Sequence, residues 1–301
     1  MKPIVVVGSY LTGVMMKVTR LPTTGETVVG SGYQRVPGGK GSNQAVAARR
    51  LGGKVSIIAC VGSDEDGDRA LTMWQREGVE AGLVRRTPKH TGVGFVIIDS
   101  EGANAIAVDP DASWDLAPSD IDRAEAAIGR AGVMLVQLEV PMATVAAAKR
   151  KAKERGLTVI LNPAPAAGGD LDLSGVDVLT PNEEEFRELT GGADFEQGAR
   201  RLLARGAKAV VVTLGERGAR VLTGDDSYSV PAPRVKVVDS TGAGDAFNGA
   251  LAVALSEGEP LRQAVRFANY AGALCATKPE VVAALPRRAE VDEFLRTDAL
   301  E

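Results

Sequence analysis

What most constrains the fold of this chain is an alternation: short, nearly continuous Val/Ile/Leu runs separated by stretches with helical spacing. The runs fall at residues 4–7, 55–61, 133–138, 158–161, 176–179 and 209–214. The helical patterns fall at 43–51, 68–77, 118–131, 142–155, 183–189 and 195–205. A strand that is apolar along its whole length is buried on both faces. The order therefore implies an α/β chain with a mostly parallel central sheet and helices on both faces. Ligands of such sheets bind beyond the carboxyl ends of the strands. Gly8-Ser9, Gly62-Ser63, Glu139, Asn162, Asn182 and Gly215 all follow predicted strands, and are expected to gather along one edge.

Two segments break the alternation. Residues 14–18 with 27–36, and 92–99 with 104–108, read as extended pieces without helices, and Ser100-Glu101-Gly102-Ala103 suits a hairpin turn. From the residues alone they fit either a separate small sheet or an edge extension of the main one. No Pro/Gly/Ser-rich linker, low-complexity run or internal repeat divides the 301 residues, so a single domain over 1–301 is expected.

The chemistry is concentrated in Asp239-Ser240-Thr241-Gly242-Ala243-Gly244-Asp245 and the apolar helical pattern after it: Phe247, Ala250, Leu251, Ala254 and Leu255. A helix starting there leaves its first N–H groups unpaired and turns its positive dipole end outward, which suits an anion. Asp245 falls in that first turn and could take a proton from a hydroxyl; equally, an Asp there stabilises the dipole without any chemistry. Two other motifs are excluded. Phe247 stands where G-x-G-x-x-G needs its last glycine. Gly39-Lys40 is followed by Gly41 rather than Ser or Thr, and Gln34 stands where a P-loop needs its first glycine.

A net charge of −4 and the lack of a basic stripe argue against a nucleic-acid partner. No apolar run is long enough to span a membrane, so no membrane partner is expected. Cys60 and Cys275 are too few for a disulfide framework and sit in apolar surroundings, which favours buried free thiols and a cytoplasmic protein. His90 is the only histidine, which excludes a His-rich metal site.

A second glycine cluster, Pro37-Gly38-Gly39-Lys40-Gly41-Ser42-Asn43-Gln44-Ala45-Val46, also runs into a small-residue helix. With the Asp245 stretch it resembles the two signatures of the ribokinase-like (PfkB-type) carbohydrate kinases, and the wording is nearest to the ribokinases. The likeness extends through Gln137-Leu138-Glu139, Asn162-Pro163-Ala164-Pro165, Thr180-Pro181-Asn182-Glu183-Glu184-Glu185 and Thr213-Leu214-Gly215-Glu216-Arg217-Gly218, nearly the whole chain.

The resemblance implies ATP-dependent phosphorylation of a primary hydroxyl on a small sugar, with ribose the nearest named substrate and Mg²⁺ required. It makes Asp245 the general base, with Gly242, Ala243 and Gly244 offering N–H groups to the transferring phosphoryl. Asn182 and Glu185 match a motif associated with phosphate and hydrated Mg²⁺, although the residues alone also fit a helix-capping pair. Gly39, Lys40, Asn43 and Glu139 match sugar-side positions. Thr213, Gly215, Gly218 and Gly244 match the nucleotide side, and Asn269 lies in the helix bordering the adenine. Asp239 and the Thr241 carbonyl match a monovalent-cation site, so K⁺ activation is expected. Parts of 13–36 and 92–109 are implied to form a β lid over the sugar that also pairs two subunits into a homodimer.

Departures bear on the substrate. Leu11 and Gly13 stand where the family usually has Asn and Asp holding sugar hydroxyls, and Lys278-Pro279-Glu280-Val281 replaces a small Gly-Ala segment. Loss of those hydroxyl ligands predicts weakened ribose binding and open space at Gly13. Thr12, Asp109 or Asp111 would be the residues to compensate. A nucleoside kinase of the same family is the alternative. A non-catalytic sugar or nucleotide sensor is disfavoured, since it has no use for Asp245 beside an anion site.

Overall fold

Burial alternates between two cores along the central strands. Ile4, Val6, Val133, Leu135 and Ile160 pack into one apolar cluster, while Val5, Val7, Met134, Val136, Val159 and Leu161 pack into the other. That is the signature of a sheet covered on both faces. The structure, a computed structural model, describes residues 1–166 and 168–298. Ala167 and the last three residues, which the single-domain expectation includes, lie outside them.

In chain order the strands are β1 (Ile4–Val7), β2 (Leu11–Val18), β3 (Gly30–Gly38), β4 (Val55–Ile58), β5 (Cys60–Gly62), β6 (Arg85–Thr87) and β7 (Gly92–Ile98). They continue as β8 (Asn104–Asp109), β9 (Val133–Gln137), β10 (Thr158–Asn162), β11 (Val178–Leu179), β12 (Ala209–Thr213), β13 (Ala219–Thr223) and β14 (Ser227–Val230). The helices are α1 (Lys40–Arg50), α2 (Glu65–Glu77), α3 (Pro118–Arg123), α4 (Glu125–Ile128) and α5 (Met142–Glu154). After them come α6 (Glu183–Thr190), α7 (Phe195–Ala204), α8 (Ala243–Glu257), α9 (Leu261–Ala276) and α10 (Arg288–Asp298).

The main sheet runs β14-β13-β12-β11-β10-β9-β1-β4, with β4, β1, β9, β10, β11 and β12 parallel and the last two strands antiparallel. Helices α1, α2, α8 and α9 supply the first core; α3, α4, α5, α6 and α7 supply the second. The broken segments form a separate sheet, β3-β2-β7-β8, in which β2 and β7 are parallel and the outer pairs antiparallel. Of the two arrangements open from the residues, the separate sheet is the one adopted.

Three expectations need correction. The run 55–61 is not one strand: β4 ends at Ile58 and the chain leaves the main sheet, with β5 pairing β6 instead. All of its residues are buried on both sides, so no periodicity marks the break. The helical pattern 118–131 divides at Ala124, whose N–H bonds to the Asp120 and Ile121 carbonyls as α3 closes. Helix α1 starts at Lys40 rather than residue 43. Its entry is pinned against β1: a side chain at Gly41 would come within 2.6 Å of Gly8, and the Ser42 N–H donates to the Ser9 carbonyl at 2.9 Å.

Candidate active site

Helix α8 is preceded by Gly242 as its N-cap, whose φ of 82° is in the left-handed region that favours glycine. The turn before it is closed by the Ala243 N–H donating to the Ser240 carbonyl at 3.1 Å. Ala243 therefore does not offer its N–H to an anion as expected. Among the described residues, the N–H groups of Gly242, Gly244 and Asp245 are the ones left without a partner at this helix start.

Asp245 is not an exposed first-turn residue. Only 9% of it is accessible, and both carboxylate oxygens are held: Oδ2 accepts from Asn43 Nδ2 at 2.9 Å and Oδ1 from Gln44 Nε2 at 2.9 Å. Close packing of α1 on α8 brings these groups together. A Cβ at Gly249 would lie 2.6 Å from Ala47 Cβ and 3.0 Å from the Gln44 carbonyl, so only glycine allows this approach. Burial pushes the Asp245 carboxyl above the usual Asp range, and Glu139 adds to this; Lys40 most strongly, then Gln44 and Asn43, oppose it.

Two cavities meet at this point. A cleft of ≈ 830 Å³, a size that suits a nucleotide, is lined by Thr213, Gly215, Gly218, Ala243, Gly244 and Asn269 among others. A smaller one of ≈ 190 Å³ is lined by Lys40, Asn182, Glu185, Gly242, Gly244 and Asp245 among others. Thr213 and Gly244 line both, so the cavities abut beside Asp245.

The remaining expected site residues are placed as follows. Gly39 (φ 87°) precedes α1, and Lys40 N–H donates to Glu139 Oε2 at 2.8 Å; the Ser9 hydroxyl donates to the same carboxylate. Asn43 Oδ1 is buried without a partner, an acceptor suited to a substrate hydroxyl. Asn182 and Glu185 form a reciprocal capping box at the start of α6: Asn182 Oδ1 accepts from Glu185 N–H at 2.8 Å, and Glu185 Oε2 from Asn182 N–H at 2.9 Å. Burial raises the Glu185 carboxyl, partly opposed by the Asn182 N–H and Lys40. Asn269 donates to the Val230 and Pro231 carbonyls, and so fixes the cleft wall. Asp239 Oδ1 accepts from Thr241 N–H at 2.9 Å and lines neither cavity. Gly62-Ser63 closes β5, outside the main sheet, and lines neither cavity.

On the small sheet, Leu11 is buried against Gly92. The space expected at Gly13 is filled, because a Cβ there would lie 2.9 Å from Val36 Cγ2. Asp111 is engaged by the His90 N–H and Lys89, while the Thr12 hydroxyl is buried without a partner.

Gln44, Gln137 and Asn162 stand within the sequence motifs, and Asn162 at a strand end, but sequence reasoning assigned them no role as the buried amides behind Asp245. The signal for that role is a polar side chain inside a run that is otherwise small or apolar.

Comparison with known proteins agrees with this geometry. Residues 1–288 match the pfkB family carbohydrate kinases. The chain is 37% identical over 302 residues to the ribokinase of Haemophilus influenzae, with 98% of each chain covered. It is 34% identical to a deoxyribokinase of Salmonella typhi, covering 97% of this chain and 98% of that one. The structure of Arabidopsis thaliana ribokinase complexed with ribose and ATP superposes with a TM-score of 0.89 at 31% identity, covering 98% of this chain and 99% of that one. The chain belongs to the pfkB family of carbohydrate kinases and is an ATP-dependent sugar kinase with a ribokinase-like fold.

Proposed function

We propose that this kinase transfers the γ-phosphoryl group of ATP to the primary hydroxyl of a pentose or closely related small sugar. The observation that carries this is Asp245, buried and held by two amides where the large cleft meets the small cavity. The hydroxyl oxygen bonds to the γ-phosphorus as the bond to the β-phosphate bridging oxygen breaks. Its proton passes to Asp245, and ADP leaves. The free N–H groups of Gly242 and Gly244 face the growing charge on the phosphoryl oxygens.

Among the described residues there is no cluster of three or more His, Cys, Asp or Glu side chains able to cage a metal. The carboxylates that line the small cavity are Glu185 and Asp245, a sparse oxygen set that fits Mg²⁺, which keeps much of its water and is held mainly through phosphates. When bound, Mg²⁺ neutralises charge on the β- and γ-phosphates. A monovalent-cation site at Asp239 and the Thr241 carbonyl is part of the same proposal. Glu280 adopts φ 68°, the left-handed backbone that the usual glycine would take, so the opposite wall keeps its course.

The small sheet favours a substrate less hydroxylated than ribose. Strand register puts Leu11, Gly13, Val36, Gly92, Gly94 and Val108 on one face, so the positions of Leu11 and Gly13 and their direct neighbours carry no hydroxyl-binding side chain; the amides on that face are Gln34 and Asn104, farther along the strands. This apolar face also gives weight to a nucleoside as acceptor. Each lost hydrogen bond to a charged group removes roughly 1.5–3 kcal/mol. Ribose should therefore have a kcat/KM at least about tenfold below that of the best substrate. The test is product formation, followed by mass, across ribose, 2-deoxyribose, other pentoses, hexoses and nucleosides, with Mg²⁺ and in K⁺ against Na⁺. Ribose as the best substrate would overturn the altered specificity, and equal rates in the two salts would remove the K⁺ site.

The same face continues outward through Val96, Ile106 and Val108, of which Ile106 is 59% and Val108 53% accessible. A second copy of the chain, covering this face, is the partner we propose.

A further inference from the structure

Behind Asp245 lies a buried network of side-chain amides; Asn162, Thr180 and Asn248 line the small cavity, while Gln44 and Gln137 line neither cavity. Gln44 Nε2 has two hydrogens, and the geometry uses both: one goes to Asp245 Oδ1 at 2.9 Å, the other to Asn162 Oδ1 at 3.0 Å. Gln44 Oε1 accepts from Gln137 Nε2 at 2.6 Å, and Asn162 Nδ2 donates to the Thr180 carbonyl at 3.1 Å. Thr180 Oγ1 donates to Asn248 Oδ1 at 2.6 Å, and Asn248 Nδ2 returns to the Gly244 carbonyl at 2.8 Å. Gln44, Gln137, Asn162, Thr180 and Asn248 are all buried. Gln137 is seated so tightly that a side chain on Gly8 would clash: its Cβ would fall 2.1 Å from Gln137 Oε1.

The orientation of Gln44 is thereby fixed. Turning its amide over would put Oε1 against the Asp245 carboxylate and set two donors, Gln137 Nε2 and its own NH₂, face to face. Gln44 can present only N–H to Asp245, and that hydrogen bond favours the ionised carboxylate. Asn43 holds the other oxygen, but it belongs to the substrate side, with its own Oδ1 free for a hydroxyl.

We propose that Gln44 is the positioning residue of the catalytic base: locked by Gln137 and Asn162, it fixes the rotamer of Asp245 and keeps its proton-accepting oxygen free of a proton. The proposal rests on Asp245 being the base. Other charged or titratable groups that face Asp245 are Lys40 on α1, Glu139 after β9, Glu185 on α6 and Cys275 on α9. None of these donates a hydrogen bond to its carboxylate among the described residues.

The test uses the full chain with Gln44→Met, which keeps volume and removes both donors. With ATP and whichever of ribose or 2-deoxyribose the wild type turns over, kcat should fall about 10- to 100-fold, the worth of one hydrogen bond to a charged group. The KM for ATP should stay unchanged, and the acid limb of the kcat profile should move to higher pH. In an Asp245→Asn background the same substitution should cost almost nothing further. Gln137→Met touches Gln44 but not Asp245, and should shift the acid limb in the same direction by less. An equal loss in both backgrounds, or a loss with an unmoved acid limb, would reduce Gln44 to a packing role and overturn the proposal. Full activity of Asp245→Asn would instead sink the assignment of the base. If neither sugar is turned over, these two pentoses are excluded as substrates. The carboxyl titration of Asp245, followed by NMR with ¹³C-labelled aspartate, then decides the role of Gln44: an unchanged midpoint in Gln44→Met overturns it.

Discussion

Asp245 accepts a proton only when ionised, yet burial favours its neutral form. Its folded pKa lies above the ordinary Asp value, so activity should fall, on acidification, at a higher pH than an exposed Asp near ~3.9 would give. The stability sign follows. A carboxyl raised on folding stabilises the native state below its unfolded pKa, and that contribution is lost as pH rises through the folded value. At neutral pH the buried charge is a cost tolerated for chemistry. Lys40 is the strongest of the groups holding the value down. Lys40→Met should therefore move the acid limb of kcat to still higher pH, whatever it does to the absolute rate. A pH–rate profile of the variant checks this, and a limb that stays where it was would remove Lys40 from the electrostatics of the base.

At the scale of elements, the site depends on how closely α1 and α8 approach. Gly249→Ala would place a methyl 2.6 Å from Ala47 Cβ and 2.8 Å from the Ala48 nitrogen. Forcing it in should cost about 1–3 kcal/mol of stability. It should also lower kcat, because Asn43 and Gln44 move with α1. Ala47→Gly in the same protein removes one of the two clashes, and should recover part of both losses. Unfolding curves and kcat for the single and double variants test this; a stable, fully active Gly249→Ala would show that the helices can part without harm. Much of this layout was legible in the sequence. The apolar runs located β1, β9, β10 and β12 to within a residue, and the glycines before Asp245 marked the start of α8. The hairpin β13–β14 was not legible, since its strands are short and carry polar residues such as Arg220, Ser227 and Ser229. Nor was the amide network. Gln44, Gln137, Asn162 and Asn248 are far apart in sequence, and each sits in a segment whose local pattern already reads as helix or strand. Only the parallel order of β9, β10 and β11, and the crossing of α1 on α8, brings them to one carboxylate.

At the scale of the molecule, a two-core body carries the start of α8 and Asp245, the proposed base, while a second sheet stands beside it. That sheet is joined to the body by the ion pair of Arg35 on β3 with Asp66 on α2, and Asp66 is buried. None of the helices among the described residues is long and apolar enough to cross a membrane. The outer apolar face predicts self-association: sedimentation should show a dimer, and Ile106→Lys with Val108→Lys should yield monomers. A wild-type monomer at micromolar concentration would contradict it. The central claim is that Asp245 takes the proton during phosphoryl transfer, and kcat of Asp245→Asn tests it most directly. With ATP binding and the folded state retained, kcat should fall by about 10²–10⁴-fold, the usual worth of a positioned general base. Near-normal turnover would contradict the account.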